Sequence, residues 1–178
     1  SRKINHPNIL QIYDLEHVDD FLFITMQYIE GQNLKEFLRE NRNLDLGSLC
    51  RIAIQIIQGM KAAHSARILH NDLKPHNIIL DRHQKVYIAD FGLSTLIRQD
   101  DSVDPGGLGF AGTPNYIAPE IWRDKKYSYQ ADLYSFGILF FEMIYGTPPF
   151  DSRTVYDIIS RHLQSSPRFP VTPRIPSY

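Results

Sequence analysis

His70-Asn71-Asp72-Leu73-Lys74-Pro75-His76-Asn77, with Asp90-Phe91-Gly92 beginning thirteen residues after Asn77, is the stretch on which the reading of this chain turns. Two apolar runs lie between, Ile78-Ile79-Leu80 and Val86-Tyr87-Ile88, and they read as a small antiparallel hairpin. A hairpin returns its far end to its start, so two carboxylates, one amide and one lysine converge on a single pocket. Asp72 has the chemistry of a base for a hydroxyl. Asn77 and Asp90 offer the oxygen donors that magnesium prefers, and Lys74 brings a point charge for a phosphoryl group in flight. Taken alone, Asp72 reads better as a capping or loop aspartate, and Asn77 reads also as a turn amide. Lys74 and Asn77, two and five residues after Asp72, tip the balance to chemistry.

Downstream come Gly112-Thr113-Pro114-Asn115-Tyr116-Ile117-Ala118-Pro119-Glu120 and Asp132-Leu133-Tyr134-Ser135-Phe136-Gly137. With the first two motifs, these four in register resemble the protein-kinase family: catalytic loop, magnesium loop, substrate-docking loop and central helix. The resemblance runs from His6 to about Pro170. It implies an α+β, protein-kinase-like fold: a mostly helical larger lobe plus the last two strands and hinge of the smaller one. Residues 1–178 would be a single partial domain, with 1–29 the small-lobe remnant and hinge and 30–178 the larger lobe, incomplete at its C-terminal end.

The resemblance also implies roles. Asp72 would be the base, with Lys74, Asn77 and Thr113 beside it, and Asn77 and Asp90 would hold Mg2+. Thr113 resembles the docking-loop threonine of Ser/Thr-specific members, and Lys74 points the same way. Met26 resembles the residue at the back of the adenine pocket, although it also reads as plain core. Gln27 and Ile29 would offer backbone groups to adenine, Asn33 would reach the ribose, and Ile79 would form the floor. Phe91 would stack with His70 and Ile12 above an anchoring Asp132. The implied activity is transfer of the γ-phosphoryl of ATP to protein Ser/Thr hydroxyls. The rivals are a pseudokinase or truncated scaffold that binds protein partners, and a small-molecule kinase of related fold, which the docking loop disfavours.

Departures carry expectations too. Asn71 stands where the family has arginine before the catalytic Asp, so activity should not need phosphorylation between Ser94 and Thr113. No Gly-rich phosphate loop or Val-Ala-Ile-Lys strand is present, and Lys3 sits too close to His6-Pro7-Asn8 to substitute. No late segment supplies the arginine that Glu120 would pair with. The simplest expectation is a domain cut near both ends, exposing apolar surface and transferring phosphate poorly by itself.

The bulk numbers fit one globular unit: 178 residues, 43% of them apolar, net charge -1. That charge, without a Lys/Arg cluster, gives no case for nucleic acid. The greasiest run, Phe136 to Tyr145, contains Glu142 and is too short for a bilayer, and no signal-peptide pattern opens the chain. The lone Cys50 suits a reducing compartment, cytoplasmic or nuclear, and a buried core position. Oligomeric state is not legible.

Elsewhere, residues 9–15 and 21–27 read as an antiparallel hairpin. Glu30 to Asn33 reads as a break, and Leu34 to Arg39 as a short helix. Leu49, Ile52, Ala53, Ile56, Ile57, Met60 and Ala63 predict an amphipathic helix over 48–65. The Asp/Gly-rich run from Ser94 to Phe110 reads as a loop, its Gly106-Gly107-Leu108-Gly109 being no dinucleotide fingerprint. Helices are expected from about Tyr129 to Tyr145, apolar all round and hence central, and from about Thr154 to Leu163. His64, His70 and His76 do not share a helical face and so predict no metal site.

Overall fold

The computed structural model describes residues 4–19, 21–91 and 113–170. Gly92, Gly112, the run from Ser94 to Phe110 with its glycines, Lys3 and the end of the Pro-rich tail lie outside them. The expected hairpin is β1 (Ile12–Val18) against β2 (Phe21–Met26), antiparallel, with Asp19 in the left-handed turn at φ 54. Its first strand starts at Ile12 because residues 8–10 pair elsewhere. Leu10 N donates to Ile88 O at 2.9 Å, and Ile88 N donates to Asn8 O at 2.9 Å. The buried Asn8 amide donates to Val86 O at 2.9 Å and to Gln55 Oε1 at 3.2 Å.

Gly31-Gln32-Asn33 is a strand rather than a break. This β3 (Gly31–Asn33) pairs antiparallel with β4 (Ile78–Asp81), which pairs with β5 (Val86–Ile88), giving a sheet in the order β3-β4-β5. Three residues are too few to show alternation in sequence. Gly31 makes the pairing possible, since a Cβ there would overlap the Leu80 carbonyl oxygen. Asn33 then caps α1 (Leu34–Glu40) through a capping box with Glu36.

Asp45 caps α2 (Leu46–Ser65), accepting from Ser48 N at 2.9 Å. The expected stripe of Leu49, Ile52, Ala53, Ile56, Met60 and Ala63 is buried. Ile57 leaves it, 46% exposed, because it follows Ile56 by only about 100° of helical turn. Cys50 is half-buried rather than core.

Three helices follow: α3 (Pro119–Asp124), α4 (Tyr129–Tyr145) and α5 (Val155–Gln164). Ser128 caps α4, and Gly146 ends it in the left-handed conformation at φ 85. α4 packs into the main core as its apolar character leads one to expect, but not with every face. Leu139, Met143, Asp132 and Glu142 are buried, whereas Leu133 is 59% exposed. Apolar composition therefore does not fix which face packs. The main core joins Ile52 and Ile56 of α2, Ile78, Leu80, Val86 and Ile88 of the sheet, and Leu139 and Met143 of α4. Each such side chain contributes about 1.5–3 kcal/mol when removed from water.

Candidate active site

A buried carboxylate positions the catalytic loop. Ser128 sets the start of α4, which places Asp132 in the first turn, where a negative charge is favoured. Asp132 accepts from His70 N at 2.9 Å, from Asn71 N at 2.8 Å and from His64 Nε2 at 2.8 Å. Loop N–H groups have no helical or sheet partner, so this carboxylate supplies one. The wholly buried His70 ring packs on Phe91, centroids 4.7 Å apart. Burial lowers the His70 pKa, outweighing the pull of Asp132, Asp72 and Asp90 in the opposite direction. The Asp132 anchor and the His70–Phe91 contact thus stand as the resemblance implied, while Ile12 pairs with Met26 in the hairpin.

Asn71 and Asp90 both adopt left-handed backbone, at φ 66 and φ 63. Asn and Asp are the non-glycine types that accept this conformation most readily. Both residues that bracket the loop thus stand in the left-handed region, as do Asp19, Arg67, Gln84 and Lys125 elsewhere.

Between them, Asp72 is held through one oxygen. Lys74 Nζ donates to Asp72 Oδ2 at 2.7 Å, and Asn77 Nδ2 donates to Oδ2 at 3.2 Å and to the Asp72 carbonyl at 2.9 Å. Both side-chain bonds fall on Oδ2, and neither engages Oδ1. Pairing of Ile78 with Ile88, continued by Ala89 N donating to Asn77 O at 2.8 Å, brings Asn77 and Asp90 to one end of the hairpin. With Nδ2 of Asn77 spent on Asp72, its oxygen remains, so amide and carboxylate form a hard-oxygen pair that fits Mg2+. Among the described residues no group of three His, Cys, Asp or Glu side chains could hold a metal unaided.

Thr113 and Tyr116 share a cavity of about 10 Å3 with Asn71 and Asp72. Ile29 and Ile79 pack together with Leu10, Tyr87 and Ala89. Gln27 N is spent on Gln11 O at 2.8 Å, and the Asn33 side-chain oxygen accepts from Glu36 N at 3.0 Å. Met26 is not core: it pairs with Ile12 at the end of the hairpin and is 40% exposed. Glu120 is half-buried, with no ion pair among the described residues.

A sequence profile described as "Protein kinase domain" matches residues 1–177. The chain belongs to the protein kinase domain family. It is 35% identical over 162 residues to serine/threonine-protein kinase PrkC of Bacillus subtilis, covering 91% of this chain and 25% of that protein. Serine/threonine-protein kinase PkaA of Streptomyces coelicolor is 33% identical over 177 residues, 96% of this chain and 32% of the relative. Serine/threonine-protein kinase polo of Drosophila melanogaster is 34% identical over 177 residues, 99% and 30% respectively. The kinase chain thus spans about a quarter to a third of the length of these relatives. Proteins of this family generally use ATP and Mg2+. Among the described residues no helix is long and apolar enough to cross a membrane.

One cluster of this kinase domain escaped the sequence reading. Glu142 is 1% exposed and accepts from Lys35 Nζ and from Tyr116 Oη. Burial, then the Glu142 charge, pushes the Tyr116 phenol well above its usual pKa. The available signal was a carboxylate inside an apolar helix, which predicts a buried partner.

Proposed function

We propose that this chain is the catalytic-loop lobe of a serine/threonine protein kinase, with residues 30–178 as the larger lobe and 1–29 as hinge and small-lobe strands. The reaction is transfer of the γ-phosphoryl of ATP to a Ser or Thr hydroxyl of a protein substrate. The observation that carries this reading is the Asp72 carboxylate, pinned at Oδ2 by Lys74 and Asn77 beside the hairpin end that bears Asp90. Asp72 Oδ1 orients the acceptor hydroxyl and takes its proton as the new O–P bond forms and the bond from the γ-phosphorus to the β–γ bridging oxygen breaks, releasing ADP. Lys74 supports the transferring group with fixed positive charge. Asn77 and Asp90 would hold Mg2+, which when bound neutralises phosphate charge. Thr113 bounds the acceptor's side of the pocket.

Ile29 and Ile79 provide an apolar bed for adenine, with Met26 behind. Since Gln27 N–H is spent, its carbonyl and the Ile29 backbone remain for the adenine edge, and the Asn33 amide nitrogen for the ribose. Asn71 is uncharged and cannot clasp a phosphate, so turnover is independent of phosphorylation between Ser94 and Thr113. The compartment is the cytoplasm, with the nucleus as the alternative.

Asp72→Asn in the full-length protein tests the reading. Turnover should fall by about 10²–10⁴-fold while ATP binding changes little; unchanged turnover removes Asp72 from the mechanism. Thr113→Ala should depress protein phosphorylation more than ATP hydrolysis, and equal losses would reduce Thr113 to a shaping role.

A further inference from the structure

A groove of about 450 Å3 lies between α1 and the end of α4, walled by Lys35, Glu36, Arg39 and Arg42 on one side and by Glu142 and Tyr145 on the other. Its effective charge differs from what its residue types suggest. Glu142 is buried, and both its oxygens are occupied, by Lys35 and by Tyr116. The Glu36 carboxylate turns back to the Asn33 N–H at 3.4 Å as part of the capping box. Arg39 and Arg42 are exposed, and Arg39 meets only Glu40, at 3.8 Å, among the described residues. The groove therefore offers guanidinium groups while its deepest carboxylate is withheld.

It is linked to the candidate active site by the hydrogen bond that Tyr116 donates to Glu142. Tyr116, which holds Glu142, lines the small cavity shared by Asp72 and Thr113. We propose that this groove is a specificity subsite for acidic side chains flanking the acceptor hydroxyl of the protein substrate, an inference that rests on the kinase reading above. Arg39 and Arg42 contact the substrate carboxylates, for which the guanidinium fork is geometrically suited. Lys35 locks Glu142, so that a basic substrate finds no partner there; specificity arises from this rejection as well as from attraction.

The test uses the full-length protein and two peptides of equal length, one with Asp/Glu and one with Lys/Arg around the acceptor. Binding is read by fluorescence anisotropy with the acceptor changed to alanine, and phosphorylation is followed separately with the hydroxyl present. The acidic peptide should bind about tenfold more tightly, and the Arg39→Gln/Arg42→Gln pair should erase most of that, about threefold per charge removed. Raising salt from about 0.05 to about 0.5 M should narrow the gap. Lys35→Met should move the preference toward the basic peptide. The arginine pair, being exposed, keeps the test decisive if Lys35→Met fails to fold. Equal binding, a basic preference, or an acidic preference untouched by the arginine substitutions overturns the inference. Acidic binding without any phosphorylation upholds the groove and counts against the kinase reading alone.

Discussion

The catalytic loop and the β1–β2 hairpin are both assembled from short segments, yet they are held in opposite ways. In the loop, His70 is 0% and Asp132 1% exposed, and three donors from two separate parts of the chain converge on one carboxylate. In the hairpin, Tyr13 is 54%, Phe21 68% and Phe23 53% exposed, and the strands pair chiefly with each other. The loop is fixed by tertiary bonds, whereas the hairpin's strands are joined chiefly by hydrogen bonds to each other. A region placed by tertiary contacts should respond strongly to single substitutions, and one placed locally should barely register them.

The largest effect is expected at the hub of the loop. Asp132→Ala strands two loop N–H groups and the His64 ring, and should cost about 3–5 kcal/mol by urea unfolding of the full-length protein. A cost below about 1 kcal/mol would show that the loop is held by something other than Asp132.

Next comes Gly31→Ala, which forces a methyl group against the Leu80 carbonyl. About 2–3 kcal/mol of destabilisation is expected, with loss of amide-exchange protection across β3 and β4. Retained protection would mean that β3 does not depend on this close approach.

A pH effect follows. The His162 ring packs 4.8 Å from Phe150 and lies beside Tyr134, whose phenol is pushed up to about 12 by burial and then by Glu120. Burial presses the His162 pKa down from 6.5 to about 4. Between those values the unfolded chain takes up a proton that the folded chain refuses. The contribution is therefore lost as pH falls from about 6.5 toward 4, on the order of 2 kcal/mol in all. His162→Gln should reduce this slope without abolishing it, because burial lowers the His70 pKa as well. An unchanged slope would exclude His162 as its source.

The smallest effect belongs to the hairpin. Phe23→Thr keeps strand propensity and removes an exposed ring, so stability should move by less than about 0.5 kcal/mol. A loss above about 2 kcal/mol would reveal packing that its 53% exposure does not suggest.

Motif order exposed the fold class and most of the catalytic loop, because those features are local. Asp72, Lys74 and Asn77 lie within six residues, and the hairpin to Asp90 is written in two apolar runs. The α2 stripe followed from helical period, and α4 spans the expected Tyr129–Tyr145. Strand β3 was hidden because its partner lies almost fifty residues away, with Gln32 opposite Leu80. Met26 and Ile57 were misjudged as core because apolar character does not say which face another element covers.

By itself, the sequence determined the residue types of the pocket: two carboxylates, a lysine and an amide at spacings that a loop and a hairpin bring together. Only tertiary structure decided which charges remain available. The sequence sets Glu142 inside an apolar helix without naming its partners; Lys35 lies 107 residues before it and Tyr116 26 residues before it, and together they engage both its oxygens. A buried charge must be paired, and its partner is chosen by packing across the fold rather than by neighbours in the chain.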